Sequence, residues 1–105
     1  MAAYLVSSVE IHDPETFKPY LTDVPAIIDK YGGKFLVRGG ALEVIDGTWP
    51  APRMAIVEFP SVNEARRFLE SPEYARYKEI RRKAAATNAV LVEGMQANAT
   101  KGASR

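Results

Sequence analysis

The sequence contains no cysteine and a single histidine, His12. The first absence excludes disulfides, thiolate nucleophiles, iron–sulfur clusters and cysteine zinc sites. The second excludes a multi-histidine metal centre within one chain, and no metal or other cofactor is expected. No apolar run approaches the roughly 20 residues that a membrane span requires. The opening stretch "MAAYLVSSVEIHD" lacks a basic region followed by a hydrophobic core, so it does not read as a secretion signal. A cytoplasmic location with no membrane partner is the expectation. Charge of one sign is also missing: 14 Lys and Arg stand against 13 Asp and Glu, a net charge of +1. Nucleic-acid binding needs a concentrated basic surface, so no such partner is expected. The densest basic run, Arg81 to Lys83, falls in the last turn of a predicted helix, where cations suit the negative end of the dipole.

What is present is an ordinary globular composition, 47% hydrophobic and 26% charged over 105 residues, enough for one domain. Ala3 to Ile11 is rich in β-formers and carries apolar side chains at both alternating sets of positions, as a strand covered on both sides would. Asp13-Pro14 opens a helix, with Asp13 as the cap and Pro14 at the first helical position. Phe17, Tyr20, Leu21, Val24, Ile27, Ile28 and Tyr31 form its apolar stripe. Pro25 is expected to kink or open it, and Gly32-Gly33 to end it.

Lys34 to Asp46 admits two readings: a hairpin turning at Gly39-Gly40, or one longer strand bent by a bulge at Gly40. The bend is preferred, because it keeps a simple β-α-β-β-α-β order. A loop over Asp46 to Pro52 and a strand over Arg53 to Phe59 follow. Ser61-Val62-Asn63-Glu64 is a capping box before a second helix. Ser71-Pro72 interrupts that helix and caps another, whose stripe includes Tyr74, Tyr77, Ile80 and Ala84. Ala89 to Met95 is the last predicted strand. The domain is thus expected over residues 1–95, with Gln96 to Arg105 as a flexible polar tail.

Two adjacent β-α-β units predict an α+β, ferredoxin-like βαββαβ fold: an antiparallel sheet with helices on one face. The other face is too apolar to stay wet, and a second copy is its plainest cover. A homodimer closing into an α/β barrel is therefore expected, with a pocket in each subunit that depends on this closure.

The stretch "VRGGALEVIDGTWPAPRMAIVEFPS", the helix "FLESPEYARYK" and the closing "VLVEG" resemble the family known as domain of unknown function 1330. The resemblance runs from Ala3 to about Met95. It implies a ferredoxin-like fold assembled as a dimeric α/β barrel, and fold-level similarity to small monooxygenases, lactone isomerases and stress-response barrel proteins. It implies no established activity and carries over no catalytic residues.

The residues themselves supply candidates for binding a small, acidic organic molecule. Arg38, beside Gly39 and Gly40, could hold a carboxylate or phosphate in its fork while bare backbone approaches the ligand. It could equally form a structural ion pair, with Glu43 or with a carboxylate of the second copy. Trp49 could wall a pocket or pack on the barrel rim. Arg53 could add an anion contact or pair with Asp46. Glu58, on one face with Met54 and Ile56, and His12, the sole imidazole, are the candidates for moving protons. Tyr74, seven residues before Arg81 on one helical side, could offer its hydroxyl to a ligand or serve as core. Whether the protein is an enzyme, performing proton transfer, isomerisation or oxygenation without a cofactor, or a non-catalytic ligand sensor or structural protein is left open.

Overall fold

A computed structural model describes residues 1–95; the expected tail lies outside the described residues. The chain runs β1 (Ala3–Ile11), α1 (Pro14–Lys30), β2 (Lys34–Arg38), β3 (Arg53–Phe59), α2 (Val62–Leu69), α3 (Pro72–Ala84) and β4 (Ala85–Glu93). The four strands form one antiparallel sheet in the order β2-β3-β1-β4, with the helices packed on one face. This is the ferredoxin-like arrangement that the sequence predicts.

The caps work as read. Asp13 accepts the Thr16 N–H at 3.2 Å and its hydroxyl at 2.7 Å. Both bonds favour the ionised carboxyl and hold its pKa below the usual value. Ser61 accepts from the Glu64 N–H at 3.1 Å, and Ser71 from the Tyr74 N–H at 3.2 Å. Gly32, at φ 83°, lets the chain leave α1 in a left-handed turn.

α1 continues through Pro25 as one helix of 17 residues. Two expectations need correction. The segment after Arg38 is neither a bent strand nor a hairpin: β2 ends at Arg38 and residues 40–52 are irregular. A bulge does exist, but earlier, where the β2–β3 register shifts between Phe35 and Val37. Finally, β4 starts at Ala85, because Ala85 to Ala89 pair with β1 from Ile11 back to Ser7.

The core lies between sheet and helices in two clusters. The larger holds Val24, Ile28, Val57, Phe59, Ala65, Phe68, Tyr74 and Tyr77. The smaller gathers Phe17, Ala84 and Ala85, and Tyr20 packs against both. Among the described residues no helix lies on the opposite face of the sheet. There Val90 is 62% and Val92 49% exposed.

Candidate functional site

Between the two clusters lies a cavity of about 440 Å³, within the roughly 300–1,000 Å³ typical of small-molecule sites. Its floor is one row of the sheet: register sets Arg38, Ala55, Ser7 and Ala89 side by side across β2, β3, β1 and β4. Three of these four are too small to reach the helices. The row on one side, Phe35, Val57, Leu5 and Leu91, is large and apolar, and packs with the main cluster. The row on the other side is Arg53, Val9 and Thr87. Tyr20, Leu21 and Val24 of α1 and Tyr74, Lys78 and Arg81 of α3 complete the lining. The walls therefore come from the chain's own sheet and helices, and the cavity does not depend on closure by a second copy, contrary to expectation.

Arg38 reaches this face because of the bulge. Strict alternation would place Arg38 with Lys34, on the face away from the helices. The extra residue around Leu36 reverses the parity, so that Arg38 pairs with Ala55 on the helix side. There its Nη2 donates to the Leu21 carbonyl at 2.8 Å, and its guanidinium lies 4.8 Å from the centre of the Phe35 ring. Leu21 lies four residues before Pro25, which has no N–H to give that carbonyl. Arg38 supplies the missing donor, which explains how the helix tolerates its proline. Arg38→Ala is expected to cost about 1 kcal/mol, a charged hydrogen bond discounted for exposure. In a Pro25→Ala background, where a backbone N–H returns, the same change should cost less than half as much. Urea unfolding of the four variants measures this, and equal costs in both backgrounds refute the link.

Arg53 also faces the cavity and lies against Gly39. Gly39 has φ 70°, and a Cβ there would come within 2.7 Å of Arg53 Nη2. The left-handed backbone is what calls for a glycine; the flexible end of Arg53 could give way to a Cβ. Gly40 is exposed, and a Cβ there would meet nothing within 4 Å.

Tyr74 is both core and site. It is 1% exposed, yet its hydroxyl lies 2.6 Å from that of Tyr20 and accepts from Arg81 Nη1 at 3.0 Å. Burial, helped by the Tyr74 hydroxyl, pushes the Tyr20 phenol well above the usual tyrosine range, so it stays protonated near neutral pH. Arg81 Nε and Thr87 Oγ1 are buried with no hydrogen-bond partner among the described residues.

The other candidates lie elsewhere. Glu58 is on the helix-free face, where it accepts from the Tyr4 hydroxyl at 3.3 Å and has Lys34 Nζ at 3.6 Å. Its charge is the main reason the Tyr4 phenol is raised. His12 is exposed at the end of β1, its backbone N–H bonded to the Ala84 carbonyl at 2.7 Å. Trp49 and Pro50 line, with Val6, Ser8, Met54, Asn88 and Val90, a separate depression of about 330 Å³ on the helix-free face. The structure thus brings Arg38, Gly39, Arg53 and Tyr74 together and separates them from Glu58, His12, Gly40 and Trp49.

Sequence reasoning missed Tyr20, Lys78, Arg81 and Arg82 as cavity residues. Tyr20 sits in an apolar stripe, and the basic run reads equally well as a helix end. The one available signal was the Tyr74–Arg81 spacing. Five cationic side chains line the cavity (Arg38, Arg53, Lys78, Arg81 and Arg82), with no carboxylate or imidazole among the described residues. Nor do the described residues hold a group of three or more His, Asp or Glu that could bind a metal ion. No helix among them is long and apolar enough to cross a membrane.

Solved structures share this architecture. RPA0582, a protein of unknown function from Rhodopseudomonas palustris, superposes with a TM-score of 0.73 at 17% identity, covering 90% of this chain and 83% of that one. Its methylated form gives 0.72 at 18% identity, covering 91% and 82%. SnoaB, a cofactor-independent oxygenase from Streptomyces nogalater, gives 0.64 at 19% identity, covering 90% and 94%. These likenesses establish the ferredoxin-like fold. No curated protein matches the sequence significantly. A family model matches residues 2–95, nearly all of the described chain, and the protein belongs to the family it defines, the domain of unknown function DUF1330.

Proposed function

We propose that this protein is a homodimer whose subunits each bind a small, acidic organic molecule in the cavity between sheet and helices. The observation that carries this reading is the lining: five cationic side chains, of which Arg82 is paired with Glu79 at 2.9 Å, and no carboxylate among the described lining residues, around a floor of small side chains. A carboxylate there would meet guanidinium groups in a partly desolvated site, where charge-assisted hydrogen bonds are strongest. Arg53, set against Gly39, and Arg38, at the end of the small row, are the primary anion contacts. Tyr74 belongs to the same site.

Benzoate is a suitable first probe, since its ring fits the space over Ala55, Ser7 and Ala89. We expect it to raise the melting temperature of the wild type in a concentration-dependent way. Arg53→Gln should weaken its binding about tenfold, the loss of one charge-assisted contact. Ala55→Leu, which fills the floor, should abolish binding while leaving stability equal or higher. Acid binding that is absent from the wild type, or that survives both substitutions, defeats the proposal.

A catalytic reading, proton transfer or oxygenation without a cofactor, draws support from the fold shared with SnoaB, an oxygenase of that kind. Glu58 and His12, the proton-moving candidates, lie outside the cavity, and its lining among the described residues offers no carboxylate or imidazole base. Binding is accordingly the reading the geometry favours.

A further inference from the structure

We infer that Tyr20, Tyr74, Arg81 and Thr87 form a second anchor in the same cavity, one that takes an acidic oxygen, so that the preferred ligands carry two acidic groups on an apolar body. This rests on the reading of the cavity as an acid-binding site.

Hydrogen counting carries the inference. The contact between the Tyr20 and Tyr74 hydroxyls uses one phenolic hydrogen, and either oxygen can be the donor. Arg81 Nη1 already donates to Tyr74. Whichever way the tyrosine pair points, one phenolic hydrogen is left over. Arg81 Nε–H is buried and unpartnered among the described residues, and so is the Thr87 hydroxyl. Arg81 can only donate. A buried donor without an acceptor is costly, and a charged one more so. Tyr20, Tyr74, Arg81 and Thr87 all line the one cavity, and the ligand chemistry that suits such a set of donors is an acceptor bearing negative charge: a carboxylate, phenolate or enolate oxygen.

Position separates this anchor from the first. Arg53 on β3 and Thr87 on β4 flank Val9 of β1 in a single row. Two inter-strand spacings put their backbones about 10 Å apart. Between them the lining is apolar: Val9 below, Phe17 and Val24 above. A ligand spanning the row therefore has an acidic group at each end and a hydrocarbon middle about the size of one benzene ring.

Three probes test this by calorimetry on the full chain: benzoate, terephthalate, and monomethyl terephthalate, which keeps the length of terephthalate but loses one charge. Terephthalate should bind at least about tenfold tighter than either monoacid, the gain expected from one charged contact. Arg81→Gln should remove that advantage while weakening benzoate binding less than Arg53→Gln does. Thr87→Val should reduce the advantage without lowering the melting temperature, because the lost hydroxyl has no partner in the described chain. Terephthalate binding no tighter than benzoate overturns the second anchor. So does an advantage that survives Arg81→Gln, or Thr87→Val if Arg81→Gln fails to fold. In those cases benzoate binding that still depends on Arg53 leaves the first anchor standing. No binding by any of the three acids removes both.

Discussion

Phe68→Ala should lower the free energy of unfolding by about 3–5 kcal/mol, the range for truncating a fully buried aromatic ring. Phe68 is 1% exposed and is the hub of the aromatic packing. Its ring centre lies 4.4 Å from that of Tyr74, 5.6 Å from Phe59 and 6.4 Å from Tyr31. Each such pair adds roughly 0.5–1.5 kcal/mol beyond the area it buries. A domain of this size has only about 5–15 kcal/mol in total, so the variant loses a large fraction of its stability. Its melting temperature should fall by on the order of 15 °C or more. Phe68→Leu, which keeps most of the volume, should cost less than half as much. Urea unfolding gives both numbers, and a loss below about 1 kcal/mol for Phe68→Ala means the ring is not where the core is held together. The variant matters for the site as well: Phe68 holds Tyr74 from below, so acid binding should weaken even in the folded fraction.

The parts of this fold that could be read from sequence are those specified locally. Asp13, Ser61 and Ser71 cap helices through bonds to residues three positions on, and such signals need no tertiary context. Arg53 to Phe59 reads correctly because β-branched and aromatic residues fill it between turn-forming neighbours. Ala84, Ala85 and Ala86 carry no boundary signal, and only pairing with β1 decides that the helix gives way to a strand at Ala85. Ala41 to Ile45 misled the reading because its apolar residues seemed to require a strand, whereas Val44 is 47% and Ile45 80% exposed in an irregular loop. A loop rim of this kind makes sense where another surface is to be met.

The site was harder to read for a related reason. Ala55, Ser7 and Ala89 are unremarkable one by one, and become a cavity floor only when three strands align in register. Arg38 owes its face to an extra residue around Leu36 and not to the bulge predicted at Gly40, and no residue there announces it. Placing Glu58 with Met54 and Ile56 was consistent with the register. Which of the two faces holds the cavity was not legible, because both carry apolar side chains and the helices cover only one.

A single charge on the helix-free face should separate the two copies of the proposed dimer. Val90 and Val92 protrude from β4 beside Val6 and Tyr4 of β1, with Ile56 and Glu58 beyond them on β3 and Met54 one pair further along, opposite Ser8. No helix among the described residues covers this surface, and a stable pairing has to bury about 1,000 Å² or more. Val90 is mostly exposed in one subunit, so Val90→Glu should leave the protomer's own stability nearly unchanged. In the dimer the same carboxylate would be buried without a partner, twice over by symmetry, at a cost of several kcal/mol. That corresponds to at least a thousandfold weaker association. Sedimentation velocity at tens of micromolar, a concentration at which micromolar affinity already pairs the chains, should show a wild-type dimer and a Val90→Glu monomer. Val90→Thr, polar but uncharged, should lie between them. A monomeric wild type shows that this face does not pair, and a Val90→Glu dimer shows that pairing uses another face. Val90 is also among the residues lining the acid-binding cavity, so the uncharged Val90→Thr is the variant in which benzoate binding should persist, since the walls come from the protomer's own sheet and helices; loss of binding in step with dissociation of that variant would instead mean that the second copy holds the sheet and helices in their binding geometry.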